Sequence, residues 1–86
     1  MGVYAVWVYV DSTRYKGMLA IGNRPTLNGG QVSIEVHILH FFGMIYKQYI
    51  EVEFIQYLRE NRRFDNPAAL KAQLSKDRQQ IETLLY

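Results

Sequence analysis

The sequence has 86 residues, of which 49% are apolar, with a formal net charge of +2 and no cysteine. A chain of this length closes one modest core, which excludes a second folded unit within it. The weak basic bias does not favour nucleic acid or an anionic membrane as a partner, and the lack of cysteine excludes disulfides, thiolate nucleophiles and sulfur metal ligands.

The first apolar segment, Gly2 to Val10 (GVYAVWVYV), is rich in β-branched and aromatic residues on both faces. This composition is typical of a strand buried inside a sheet. The segment is too short for a membrane span and has no basic leader, so we expect a cytoplasmic protein. Asp11 and Ser12 mark a turn, and Thr13 to Ile21 then predicts a second strand, antiparallel to the first.

The next segment, Gly22 to Gly30 (GNRPTLNGG), is predicted to be a loop that contains a tight turn at Asn28-Gly29. Gln31 to Phe41 alternates strictly and predicts a third strand, and Tyr49 to Leu58 predicts a fourth. On the third strand, one face carries Val32, Ile34, Val36 and Ile38, and the other carries Ser33, Glu35 and His37.

A single helix is predicted from Asn66, which can cap it, through Pro67 at its first position to about Leu84. Its packing stripe consists of Leu70, Leu74, Asp77 with Arg78, Ile81, and Leu84 with Leu85, whereas Lys71, Lys76, Gln79 and Glu82 are predicted to face water. The pattern favours an antiparallel sheet or small barrel closed by one C-terminal helix. Four strands cannot close a barrel, so the open edges could pair with another copy of the chain.

Few residues suggest chemistry by their spacing alone. Glu35 and His37 could form a base with a neighbouring imidazole, although strict alternation more commonly marks such a polar row as a solvated outer face of the strand. The cluster of Arg59, Arg62 and Arg63 could bind a phosphate or could be a solvated linker. The histidines do not have the spacing of a zinc motif, and neither a Walker loop nor a dinucleotide loop is present, so we assign no metal ligand.

Several segments, in this order and spacing, resemble the riboflavin kinase family. They are Ile21 to Leu27 (IGNRPTL), Ile34 to Phe41 (IEVHILHF), Tyr46, and Tyr57 to Phe64 (YLRENRRF) followed by a helix. The resemblance covers nearly all of residues 1–86 and is closest to the C-terminal module of bacterial bifunctional riboflavin kinase/FAD synthetases. It implies a mainly β fold, a small antiparallel Greek-key barrel that is incomplete here, with one C-terminal α-helix.

The resemblance also implies an activity and roles for individual residues. The family transfers the γ-phosphoryl group of ATP to the 5′-hydroxyl of riboflavin to give FMN, with a divalent metal such as Mg²⁺. Glu35 matches the catalytic base, and Tyr46 matches a tyrosine near the adenine of the nucleotide. The predicted substrate-binding residues are Asn23, Arg24, Pro25 and Thr26 in one flap, and Arg59 and Phe64 in a second.

The sequence departs from the family pattern in one important respect. No part of it matches the glycine-rich stretch ending in a PTAN motif, whose Thr and Asn bind the ATP phosphates and the metal. We therefore expect residues 1–86 to be a riboflavin kinase-like domain without that segment, with the ATP and metal contacts largely elsewhere and little activity alone. Two alternatives remain: a flavin-binding module without catalysis, and a structural domain that contacts another protein.

Overall fold

The computed structural model of the protein describes residues 1–27, 29–43, 45 and 47–86, with the backbone alone described for 24–26. It contains four strands and one helix: β1 (Gly2–Val10), β2 (Thr13–Thr26), β3 (Gly29–Ile38), β4 (Glu51–Arg59) and α1 (Pro67–Leu84). No helix within the described ranges is both long and apolar enough to cross a membrane.

The strands form one antiparallel sheet in the order β3-β2-β1-β4. Three consecutive strands are joined directly, and the fourth returns to lie beside the first, which is the Greek-key order. The mainly β fold with one C-terminal helix is therefore confirmed. β3 and β4 are the two edges of the sheet, which is open in the part of the chain that the structure describes.

The loop predicted over Gly22 to Gly30 is wrong, because most of it is strand. β2 continues to Thr26, and its last residues pair with the start of β3, for example Asn23 with Val32. β1 has no residue opposite this extension, since its first residue, Gly2, pairs with Ile21. Among the described residues, no strand pairs with that side of the extension, and a proline such as Pro25 can lie within a strand at such an edge.

The turn and the remaining strand ends differ from the predictions by a few residues. Gly29 has a φ of 115°, in the region that favours glycine. The predicted partner of Gly29 in the turn, Asn28, lies outside the described residues. β3 ends at Ile38, three residues earlier than predicted, and His40 follows with a φ of 57° that a strand cannot accommodate.

Strand β1 is the centre of the core, as its sequence predicts. Its alternate side chains belong to two hydrophobic core clusters, because successive side chains of a strand point to opposite faces of the sheet. Val3 and Ala5 pack with Met18, Leu39 and the helix, whereas Val6, Val8 and Val10 pack with Leu19 on the other face. We call the first the helix face and the second the open face.

The helix begins and ends as the sequence predicts. Asn66 is the N-cap, and its side-chain oxygen accepts a hydrogen bond of 2.8 Å from the Ala69 amide, with Pro67 in the first turn. Ile81 and the C-cap residue Leu85 are buried against the helix face. The predicted packing of Leu70 is wrong, since this residue, in the first turn of the helix, is 41% exposed.

Candidate functional site

A cavity of about 360 Å³ opens between the helix face of the sheet, the helix and the segment that follows β4. Its floor is apolar and its rim is charged, which is the usual composition of a small-molecule site. The apolar lining residues are Val3, Met18, Ala20, Val36, Leu39, Phe64 and Leu74, and the polar ones are Glu35, His37, Arg59, Asn61, Arg62 and Arg78.

Glu35 reaches this cavity because of its register in β3. It pairs with Ala20, which in turn pairs with Val3, so Glu35 and His37 belong to the helix face. Glu35 and His37 are exposed to solvent, as the interpretation of a solvated row has it, but they lie on the side of the sheet that carries the helix and line the cavity there. The apolar row lies on the open face instead, where Val32 is 57% exposed and Ile34 is 63% exposed.

Arg59, the last residue of β4, is held by a buried carboxylate of the helix. Its Nη2 donates to Asp77 Oδ2 at 2.8 Å, and its Nε donates to Oδ1 at 3.0 Å. Asp77 is 1% exposed. The Arg59 side chain retains 18% of its exposure, so the interpretation of this arginine as part of a solvated linker is wrong.

The same carboxylate is joined to the rest of the cavity wall through Gln73. Gln73 donates to Asp77 Oδ1 at 2.9 Å, and Arg62 donates to the side-chain oxygen of Gln73. The guanidinium of Arg62 lies 5.3 Å from the ring centroid of Phe64, and that of Arg59 lies 6.0 Å from it. These distances allow cation–π attraction between the Phe64 ring and each of the two cations.

Charge at the site is arranged so that the buried carboxylate stays ionised. Burial raises the pKa of Asp77, but the hydrogen bonds from Arg59 and Gln73, together with the positive charges of Arg59 and Arg62, outweigh burial and leave this pKa below its usual value. Arg62 and Arg78 are exposed at the rim. The cavity thus combines one carboxylate on β3 with cationic groups from the helix side.

A second group of charges fixes the C-terminal end of the helix outside the cavity. Lys16 donates to Glu82 Oε2 at 2.9 Å, and His40 Nε2 lies 2.8 Å from Glu82 Oε1. The hydrogen bond from Lys16, followed by that with His40, lowers the pKa of Glu82. Glu82 was predicted to face water, and this is only partly right because its carboxylate binds the sheet.

Comparison with known proteins identifies the family. The family model described as "Flavokinase: Riboflavin kinase" matches residues 1–85. The chain belongs to the riboflavin kinase family. The resemblance stated from the sequence motifs is confirmed.

Individual relatives of this riboflavin kinase family member agree with the family match. Over 77 residues, the chain is 43% identical to a bifunctional riboflavin kinase/FMN adenylyltransferase of Pseudomonas fluorescens and 42% identical to one of Haemophilus influenzae. Each match covers 88% of this chain and 25% of the relative. The chain therefore spans about a quarter of the length of these relatives.

A solved structure also shares the fold. It is described as a macrolide-efflux protein from Streptococcus pneumoniae, and it superimposes with a TM-score of 0.84 at 31% identity. The superposition covers 91% of this chain and 26% of the other. The open Greek-key sheet with its C-terminal helix is therefore found within a longer chain as well.

The structure gathers three of the residues predicted from the riboflavin kinase resemblance. Glu35, Arg59 and Phe64 all line the cavity. Asn23 does not line it: it is exposed near the end of β2 and, by its register with Val32, belongs to the open face. The side chains of Arg24, Pro25 and Thr26 and the whole of Tyr46 lie outside the described residues, so their roles stay predictions.

Sequence reasoning missed the polar residues that organise the wall of the cavity, namely Asn61, Gln73, Asp77 and Arg78. One signal was available, because Asp77 occupies a position of the apolar helix stripe where a carboxylate needs a buried partner. Within the described ranges, no three His, Cys, Asp or Glu side chains come together in a way that could hold a metal ion. These residues therefore do not fit a metal centre.

Proposed function

We propose that the chain is the riboflavin kinase domain of an FMN-forming enzyme, with Glu35 as the catalytic base. The observation that carries this proposal is the cavity shared by Glu35, Phe64 and the wall that includes Arg59 and Arg62, in a chain that belongs to the riboflavin kinase family. A carboxylate beside an apolar surface suits a substrate with a flat apolar ring and a hydroxyl-bearing tail.

The proposed chemistry needs one well-placed carboxylate. Glu35 accepts the proton of the riboflavin 5′-hydroxyl. The hydroxyl oxygen bonds to the γ-phosphorus of ATP, and the bond from that phosphorus to the bridging oxygen breaks to release ADP. Positioning and charge neutralisation provide most of the rate enhancement in phosphoryl transfer. Glu35 is on an edge strand and exposed to solvent, so a substrate hydroxyl can approach it from outside.

The flavin ring is proposed to lie against the apolar part of the cavity. Phe64 offers an aromatic face, while Met18 and Leu39 form the floor. Met18 and Leu39 are buried in the core cluster beneath the helix, and Phe64 is half-buried, so the surface is largely formed before the ligand binds. The exposed cations Arg62 and Arg78 are placed to attract an anionic product or nucleotide phosphate at the rim.

ATP and a divalent metal are used by the riboflavin kinase family in general. We propose that the groups holding the ATP phosphates and Mg²⁺ lie largely outside residues 1–86, and we derive no step through the metal. The adenine contact of Tyr46 and the substrate contacts of Arg24, Pro25 and Thr26 belong to the same proposal, whereas Asn23 lies on the open face and is left out of it. Location in the cytoplasm, where riboflavin and ATP are available, completes it.

The direct test uses a chimera in which this chain replaces the matching residues of the P. fluorescens relative. Riboflavin, MgATP and the chimera are incubated, and FMN is separated from riboflavin and measured by fluorescence. We expect FMN formation by the chimera and a loss of about 100-fold or more in kcat with Glu35→Gln. Glu51→Gln is the matched control, because Glu51 is an exposed carboxylate on the same face that does not line the cavity.

The outcomes separate the proposal from its alternatives. If Glu35→Gln and Glu51→Gln lower kcat equally, Glu35 is not the catalytic base. Riboflavin binding that survives Glu35→Gln, with no FMN formed by any form, would favour a flavin-binding module without catalysis. A chimera that neither binds nor converts riboflavin would overturn the proposal and favour a structural domain.

The proposed small-molecule partners of the chain are riboflavin, FMN, ATP and ADP. We propose that the chain also associates with a second copy of itself through an edge of its sheet. The support is the exposed apolar row of β3, where Val32 and Ile34 are more than half exposed on an edge strand. Such an edge offers backbone donors and acceptors to a second strand.

A further inference from the structure

Residues 59–64 form one wall of the cavity, and their contacts converge on a single helix residue. Arg59 forms a two-pronged ion pair with Asp77, and its Nη1 donates to the Glu60 carbonyl oxygen at 3.1 Å. Arg62 is tied to Gln73, which donates to Asp77. Both carboxylate oxygens of Asp77 therefore accept hydrogen bonds. One donor residue belongs to the wall itself, and the other is bonded to a residue of the wall.

Asp77 lies in a place where an apolar residue would pack more simply. It stands between Leu74 and Ile81 at helical spacing, and it is 1% exposed. Removing a carboxylate from water is unfavourable, and replacing a buried ion pair by apolar residues is often neutral or stabilising. Stability alone therefore explains poorly why a carboxylate occupies this position. Asp77 also has a geometric effect on the neighbouring chain.

The geometric effect is to fix the direction of the chain as it leaves β4. A two-pronged arginine–carboxylate pair restrains the plane of the guanidinium as well as its distance. Arg59 is fixed against the helix and Arg62 is held by Gln73, and their guanidinium groups lie 6.0 and 5.3 Å from the ring centroid of Phe64. Asn61 adds a further tie by donating to the Ile21 carbonyl oxygen.

We propose that Asp77 is a positioning residue for the ligand: through Arg59 and Gln73 it holds the wall at residues 59–64 so that Phe64 faces the cavity that contains Glu35. Asp77 does not itself line the cavity, so it acts without touching the ligand. Arg59 then serves chiefly as the link between strand and helix, since its charge is already matched by Asp77. That the ligand is a flavin rests on the proposed function; the ordering of the wall does not.

The test compares three variants of the 86-residue chain with the unchanged chain. Asp77→Asn removes the charge but keeps the shape. Glu82→Gln removes a carboxylate that also ties the helix to the sheet, but its partners Lys16 and His40 do not line the cavity. The double variant Arg59→Met/Asp77→Leu removes both charges and keeps the packing, so that folding survives without the restraint.

Two quantities are measured for each form. The first is the backbone order parameter of residues 60–64 from ¹⁵N relaxation. The second is the riboflavin Kd from quenching of flavin fluorescence. In Asp77→Asn and in the double variant, we expect the order parameters to fall from near 0.85 to below about 0.6 and the Kd to rise about 10-fold. In Glu82→Gln, we expect the order parameters to stay near 0.85 and the Kd to stay within about two-fold of that of the unchanged chain.

The result distinguishes the inference from the proposed function. Ordered residues 60–64 and an unchanged Kd in a folded double variant would overturn the positioning role of Asp77 and leave the kinase proposal intact. If even the unchanged chain fails to bind riboflavin, the kinase proposal loses support, and the order parameters still decide whether Asp77 orders the wall. Equal effects in Glu82→Gln would reduce Asp77 to a general docking residue and would also overturn the inference.

Discussion

The two faces of the sheet are built on the same central strand but differ in what covers them. On the helix face, Val3 and Ala5 are covered by Ile81 and Leu85, and charged groups surround the cavity at the margin. On the open face, Phe41, Ile45 and Ile50 cover one end, and Val32, Ile34 and Phe54 are more than half exposed.

This difference shows how one helix closes one face of the sheet into a cavity with a charged margin. The helix contributes apolar residues that complete the core and, on the same side, a carboxylate that orients a neighbouring segment. The open face has no comparable polar element among the described residues, and its apolar edge is typical of a surface that binds another chain. Substitutions matched across the two faces can test this division.

The largest contrast is expected for apolar truncation. Ile81→Ala removes a side chain that is fully buried between the helix and the sheet, and we expect it to lower the free energy of unfolding by about 4 kcal/mol. Ile34→Ala removes a side chain that is 63% exposed on the open face, and we expect a change within about 0.5 kcal/mol. Urea unfolding followed by circular dichroism measures both, and similar losses would contradict the assignment of the core.

The next contrast is between the two ion-pair groups of the helix. Asp77→Asn leaves Arg59 largely buried without its partner, and we expect a loss of about 3 kcal/mol. Glu82→Gln should cost far less, because Glu82 and His40 keep contact with water, where an ion pair contributes little. Thermal unfolding of the two variants in parallel tests this order. A larger loss for Glu82→Gln would show that the helix is held mainly from its C-terminal end.

The parts of the fold with a strong local signal were predictable from the sequence. The β-branched run of β1 and the Asn66-Pro67 start of the helix encode their structures within a few residues. The extension of β2 beyond Ile21 was not predictable in this way, because Gly22 and Pro25 have the local signature of a loop. Pairing with β3 decides its structure, and that pairing depends on residues further along the chain.

The site was predictable only in part, for a similar reason. Alternation placed Glu35 on the polar row of β3, but the side of the sheet on which the helix packs determines whether that row faces a cavity. Asp77 was visible as a charge within an apolar stripe. Its partner Arg59 lies 18 residues earlier, and nothing in the local pattern connects the two.

A third contrast depends on pH. The pKa of Asp77 is lowered in the folded chain, so its contribution to stability is fully present above its unfolded pKa of about 4 and is lost as the pH falls through the folded value. We therefore expect the urea concentration at the unfolding midpoint to decrease as the pH is lowered from about 5 to about 2.5, and to decrease less in Asp77→Asn. A variant as acid-sensitive as the unchanged chain would assign acid unfolding to other carboxylates.

The smallest effect on folding, and the one that tests the open face directly, is expected for Ile34→Lys. This side chain is exposed, so the charge should change the free energy of unfolding by no more than about 0.5 kcal/mol. A lysine on an edge strand nevertheless opposes pairing with a second strand. We expect the apparent mass of the unchanged chain in sedimentation velocity to rise with concentration, and that of Ile34→Lys to stay at the monomer value.

Leu27→Lys provides the control for this prediction. Leu27 is fully exposed at the turn between β2 and β3, so this variant adds the same charge and removes a similar apolar side chain without altering the ladder edge. Association that persists in Leu27→Lys and disappears in Ile34→Lys would locate the contact on the apolar row of β3. If the unchanged chain remains monomeric at all concentrations, the proposed self-association is wrong, and the open face is stable in water without a second copy.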